Sequence, residues 1–159
     1  MRTFATPLAA LFGELLDGPA PDAAFMLNRG DRGLLGSLEQ LSAADASATP
    51  IAGNASIAAH VDHVRYGLEL MNRWAAGDPN PWATADWTES WTRGTVDEAA
   101  WRDLRDRLAE AGKRWRQALA SLGATSDLEL KGVIGSVGHL AYHLGAIRQI
   151  APSLRGPKA

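Results

Sequence analysis

The four histidines of this chain fall in two short windows, His60 and His63 in AAHVDHVRY and His139 and His143 in GHLAYHLGA. Imidazole is the commonest side-chain metal ligand and the one side chain that titrates unperturbed near neutrality. His139 and His143 are four residues apart. A helix turns about 100° per residue, so the two differ by only about 40° and stack one turn apart on one face. That spacing lets two imidazoles hold one metal, as in the HExxH helix of zinc proteases, although Leu140 stands where that motif has its glutamate.

The other window supplies a third ligand. With the apolar stripe of segment 56–76 centred on Ile57 and Leu68, His60 lies about 60° to one side and His63 about 120° away. Periodicity sets His60 at the border of the core and turns His63 towards the surface. The expected ligands are therefore His60, His139 and His143, with His63 in reserve. Three histidines without a carboxylate leave a coordination position for water or substrate, as in catalytic zinc sites. A metal there would bring a bound water or thiol towards neutrality as a nucleophile. A diiron bundle would need Glu-x-x-His pairs. The residues three before the histidines are Ile57, His60, Ser136 and Leu140, so no such pair exists. No general base stands out. Asp62 projects about 140° from the stripe, on the far side from His60. Tyr142 and Arg148 lie off the histidine face and read as packing and ion-pair residues. The competing reading makes the histidines cap, surface or hydrogen-bonded core residues.

Helices must position these windows. Segment 3–16 reads as a short first helix, with Thr6 as cap and Pro7 where its missing N–H costs nothing. Segment 22–43 reads as a long helix with an apolar stripe of Leu34, Leu35, Leu38 and Leu41. Gly30, Gly33 and Gly36 weaken it by roughly 1 kcal/mol each against alanine, which points to a close contact or an irregular start. ASATPIAGNAS is a loop. Segment 56–76 is a helix capped by Asn54 or Ser56 and stopped by Gly77, with Ile57, Val61, Val64, Leu68, Met71 and Ala75 at core spacing.

Segment 77–94 is a long connector carrying Trp82, Trp87 and Trp91. These indoles either roof a substrate pocket or simply cover the bundle end. Thr95 to Glu98 has the form of a capping box. The helix it opens runs to about Leu122, with Trp101, Leu104, Leu108, Ala111, Trp115, Ala118 and Leu122 in an a/d pattern. Its charged faces read as solvated. Segment 127–150 is the last helix, boxed by Ser126 and Glu129 and ended by Pro152. From Val133 to Ile150 it is apolar or small on nearly every face, so burial on most sides is expected. Gly135, Gly138 and Gly145 lie roughly along one side and suit a dimer contact or intrachain packing. Strand patterns are missing. The fold class is all-α: a four-helix bundle with a short extra N-terminal helix and a long Trp-rich connector between the second and third long helices.

The 159 residues fit one domain, 1–159, and 46% apolar content supports a sizeable core. A net charge of −2 gives no reason to expect nucleic acid or an anionic membrane as partner. Cysteine is absent, which excludes disulfides, thiolate metal sites and a cysteine nucleophile. The first residues mimic a signal peptide only weakly, being broken by Pro7, Gly13 and Glu14, and no window is apolar enough to span a bilayer. Cytoplasm is the expected location.

The stretches SIAAHVDHVRYGLELMNRW, DWTESW and HLAYHLGAIRQI, in this order and spacing, resemble the DinB/YfiT-like superfamily, with NRGDRGLL (Asn28 to Leu35) fitting its first long helix. The resemblance implies a four-helix bundle and a divalent metal, usually zinc or nickel. One histidine of the second long helix and an HxxxH pair of the last would hold it, here His60, His139 and His143. Many members are dimers, so a homodimer is a possible state here, and some members transfer low-molecular-weight thiols. One position departs from the pattern. Many members follow the last ligand histidine with Gly-Gln, where this chain reads Leu144, Gly145, Ala146. Alanine removes a polar group near the site. Two functions follow as expectations: a metal-dependent thiol transferase or hydrolase, or a non-catalytic binding or stress-response bundle with a structural metal or none.

Overall fold

The computed structural model describes residues 4–49, 53–123 and 126–158. Thr3, where the first helix was expected to begin, and residues 50–52 of the expected loop lie outside them. The helices are α1 (Ala5–Asp17), α2 (Gly33–Leu38), α3 (Ala43–Ser47), α4 (Ile57–Ala75), α5 (Glu98–Ser121) and α6 (Asp127–Ile150). Single 3-10 turns lie at Glu89–Thr92 and Pro152–Leu154. Among the described residues there is no strand, and no helix is long and apolar enough to cross a membrane.

The four long helices close a ring in which α1 packs on α5, α5 on α4, α4 on α6 and α6 on α1. Phe12 and Leu16 of α1, Val61 and Val64 of α4, Leu108 and Trp115 of α5, and Leu140 and Ile147 of α6 fill its centre. Each such side chain contributes about 1.5–3 kcal/mol through burial. The Trp115 indole N–H donates to Ser136 Oγ at 3.0 Å, which ties α5 to the diagonally opposite α6.

Caps fix where these helices begin. Ser56 Oγ accepts from Ala59 N–H and starts α4. Ser126 and Glu129 form the expected reciprocal box on α6. On α5 the cap is Asp97 rather than Thr95: its carboxylate accepts from Ala100 N–H at 2.8 Å. Glu98 instead reaches across to Ala43 N–H at 2.8 Å. Thr6 likewise lies inside α1, which starts after Phe4 without a side-chain cap.

The expected long helix over 22–43 is broken into irregular chain followed by α2 and α3. Two causes are visible. The buried Glu14 carboxylate accepts the N–H groups of Phe25 (2.9 Å), Met26 (2.7 Å) and Leu27 (2.7 Å), which takes them out of any helical ladder. Gly33 has φ +63°, and a Cβ there would meet Gly18 N at 2.4 Å, so the chain turns where only glycine fits. The leucine stripe is still core, with Leu34 and Leu38 fully buried. The 13-residue α1 fills the fourth place in the ring.

Helix α6 is less buried than its composition implies. Ile134 is 52% exposed and Tyr142 68%. Gly135, Gly138 and Gly145 have nothing within 4 Å of a would-be Cβ, so they do not serve intrachain packing. Apolar character on several faces cannot by itself distinguish a helix wrapped by its own chain from one with an open side.

Candidate metal centre

The α4–α6 contact brings all four histidines together. His143 is the hub. Its Nε2 lies 3.0 Å from His139 Nε2, and its Nδ1 lies 2.9 Å from His60 Nδ1. Its ring centroid is 5.0 Å from that of His63. His63 and His139 face one another edge-on at 5.1 Å. Of the four, His63, His139 and His143 each offer a ligand nitrogen such that all three lie within 4.8 Å of one another.

His63 is buried, contrary to the periodicity that turned it towards the surface. The reason lies outside α4. The connector folds back over this face, stacking Trp91 on His63 at 4.3 Å and 29° and setting Trp87 5.5 Å away. The buried Ser90 places its hydroxyl 3.2 Å from His63 Nδ1. His63 Nδ1 is thereby engaged, and Nε2 is the nitrogen left for a metal. His60 stays half-buried, with the edge of Trp91 5.3 Å from its ring. Trp87 and Trp91 therefore roof the histidines.

Burial pushes all four imidazoles towards their neutral form. For His63 the pKa falls to about 4, through burial first and then the neighbouring His139 and His60 rings. For His143 it falls to about 3, again through burial first and then the other three histidines. His60 and His139 are lowered by burial. Neutral imidazoles present lone pairs at neutral pH, the state a metal requires. The donor set and its packing thus fit a divalent ion.

Asp62, one residue from His63, is buried but turned away from the rings. It accepts Arg65 at 2.7 Å and Arg93 of the connector at 2.5 Å. Arg93 ties the Trp-rich connector to α4 through this carboxylate. Sequence reasoning missed Ser90, which lies within the DWTESW stretch, and the Asp62–Arg93 pair, whose arginine follows that stretch by two residues. Arg148 makes the expected kind of ion pair, with Asp31 at 2.7 Å. Tyr142 stands exposed with its ring edge-on to His143 at 5.0 Å, in place of the packing role expected of it.

Two openings flank the cluster. A cleft of about 300 Å³ runs between α4 and α6 under Trp82 and Trp87 and ends at His139. A larger pocket of about 560 Å³ lies beside His60, with Asn54, Tyr142 and Gln149 in its wall. Ala146, where many relatives of the resembled pattern carry glutamine, lines this second pocket.

The facing helices of this bundle gather buried and half-buried histidines, three of which could hold a metal ion. The DinB superfamily model matches residues 26–147, and the chain belongs to that superfamily. No curated protein and no solved structure matches the chain significantly. Membership and the buried triad are together compatible with a metal-binding protein.

Proposed function

We propose that the protein is a divalent-metal-dependent transferase of a low-molecular-weight thiol. His63, His139 and His143 would hold the metal, and His60 would orient His143 through its other ring nitrogen. The sequence set of His60, His139 and His143 differs from this in one member. What favours His63 is convergence: it offers a ring nitrogen within 4.8 Å of those of His139 and His143, whereas His60 meets His143 at Nδ1, on the opposite edge of that ring from the Nε2 beside His139. An all-imidazole donor set suits zinc or nickel, and such an ion lowers the pKa of a bound thiol or water.

The observation that carries the reading is the convergence of His63, His139 and His143 beside an open cleft that His139 lines and whose wall contains no carboxylate among the described residues. Hydrolysis needs a base to take a proton from water as the bond forms. A thiol already ionised needs none. Its sulfur forms a C–S bond to an electrophilic carbon, the leaving group departs with the bonding pair, and the thiol proton passes to solvent. The cleft meets the triad at His139, and the larger pocket meets the cluster at His60. Small thiols abound in the reducing cytoplasm, where this reading places the protein.

The α6 face carrying Ile134, Gly138, Tyr142 and Gly145 is exposed, and a second copy of the chain would cover it in a homodimer.

The test is metal analysis of untagged protein beside a His139→Ala, His143→Ala double variant, followed by assay of small thiols with a chromogenic aryl halide. About one zinc or nickel per chain, lost in the variant, with metal-dependent thioether formation, supports the reading. Metal without turnover of any thiol would leave a structural site in a binding module. No metal after reconstitution would overturn the metalloenzyme.

A further inference from the structure

The cleft that ends at His139 has an unusual lack of polarity for the approach to a reactive centre. Val64, Leu68, Met71 and Leu140 line it together with the indoles of Trp82 and Trp87. Apart from His139, its side-chain polar groups are the two indole N–H groups and the hydroxyl of Ser136. That hydroxyl is already committed: it donates to Val133 C=O at 2.7 Å and accepts from Trp115 at 3.0 Å. No charged side chain lines the cleft among the described residues. A charged or strongly polar ligand would lose its hydration there with little in return, whereas an apolar one would exchange water for close contact.

Gly67 gives the cleft its shape. A Cβ at this position would lie 3.6 Å from His139 Cε1 and 3.7 Å from Trp87 Cζ3. Any longer side chain would project into the gap between the histidine and the indole. Gly135 borders the cleft from α6 with no atom within 4 Å of a would-be Cβ. The two glycines keep open a slot bounded on one side by indole surface. Aromatic rings stack on indoles in offset or edge-on arrangements, which favours a flat occupant over a branched one. At about 300 Å³ the cleft is at the small end of ligand pockets.

We propose that this cleft is the acceptor subsite, and that it takes the uncharged aromatic portion of a small molecule, seated under Trp82 and Trp87 with its reactive carbon towards His139. The placement of the reactive carbon rests on the thiol-transfer reading. The affinity of the cleft for a neutral aromatic group does not, because Gly67, Gly135 and the two indoles create it without the metal.

The experiment measures binding of 2-naphthylmethanol and of its charged counterpart 2-naphthoate by calorimetry, to metal-loaded and chelator-treated protein. The neutral probe should bind more tightly than the carboxylate by about tenfold or more. Gly67→Leu and Gly135→Leu should each weaken the neutral probe by about tenfold or more, and in Gly135→Leu, which touches no histidine, metal content should stay at the wild-type level. Gly135 is exposed, so its variant keeps the test valid if Gly67→Leu fails to fold. Equal or tighter binding of naphthoate, or neutral binding untouched by Gly135→Leu in folded protein, overturns the proposal. Neutral-probe binding that survives in a protein unable to take up metal would uphold the subsite and sink the metalloenzyme reading. Metal uptake without probe binding would do the reverse.

Discussion

Trp91 lies stacked on His63, with ring centroids 4.3 Å apart and planes 29° from parallel. This contact turns a position on the flank of α4 into part of the buried cluster. It also separates the roles of His60 and His63, since Ser90 engages Nδ1 of His63 and it is His63 that offers a ring nitrogen within 4.8 Å of those of the HxxxH pair. His63→Ala should abolish stoichiometric metal binding. His60→Ala should retain the metal at about 10–100-fold weaker affinity, as expected when a group that orients a ligand is removed. Competition against a chromogenic chelator measures both. The reverse order of effects would restore His60 as the third ligand.

Asp62 bridges Arg65 and Arg93, and its side chain is only 6% exposed. Removing one member of a buried ion pair leaves the other charge without compensation. Asp62→Ala should therefore destabilise the fold by about 3 kcal/mol, the low end for a broken buried pair, because Arg93 loses its partner while the buried Arg65 keeps Glu69 at 2.6 Å. Arg93→Ala should cost less, about 1.5–3 kcal/mol, because its side chain is one-third exposed and Arg65 still pairs with Asp62. It should also loosen Trp91 over His63. Denaturant melts monitored by tryptophan fluorescence, with metal affinity measured on the same variants, check both effects. Wild-type metal affinity in Arg93→Ala would show that the ion pair does not hold the roof.

The bundle was legible where local and long-range signals agree. Helices α4, α5 and α6 announce themselves by apolar periodicity, and Ser56 and Ser126 mark their starts as expected. The HxxxH pair needs nothing beyond helix geometry to be found. The break in segment 22–43 was hidden because its cause is a carboxylate on α1, 11 to 13 residues away from the N–H groups it captures. Leu34 and Leu38 keep the helical spacing of core residues, so the stripe gave no warning. Burial of His63 was hidden for the same kind of reason: the indole that covers it belongs to the connector, 28 positions further along the chain.

Ile134, Tyr142 and the open glycines Gly138 and Gly145 lie on the solvent side of α6. Pairing of two copies there would bring backbones close at the glycines and bury the tyrosine ring next to His143. Sedimentation velocity should give twice the 16.9 kDa of the chain. Gly138→Arg, which fits the free surface but sets charge against charge across a two-fold axis, should shift it to monomer. An unchanged dimer in this variant would move the interface elsewhere, and a monomeric wild type would remove it.

Glu14 holds the start of the irregular segment by accepting from Phe25, Met26 and Leu27 N–H groups while only 6% exposed. Burial by itself would raise its pKa, but the three backbone donors outweigh it and the pKa lies below the ordinary 4.5. A carboxylate whose pKa is depressed on folding binds fewer protons in the native state than in the unfolded one. Its contribution to stability is complete above the unfolded value, near pH 4.5, and is lost as pH falls through the lower native value. Glu14→Gln keeps the shape and removes the charge, so it should cost about 1.5–3 kcal/mol at pH 7. The difference from wild type should hold steady down to about pH 5 and shrink on further acidification, when both chains carry a neutral group at this position. Urea melts of the two proteins across this range measure it. A difference that does not narrow in acid would mean that the carboxylate's charge is not what fixes residues 25–27.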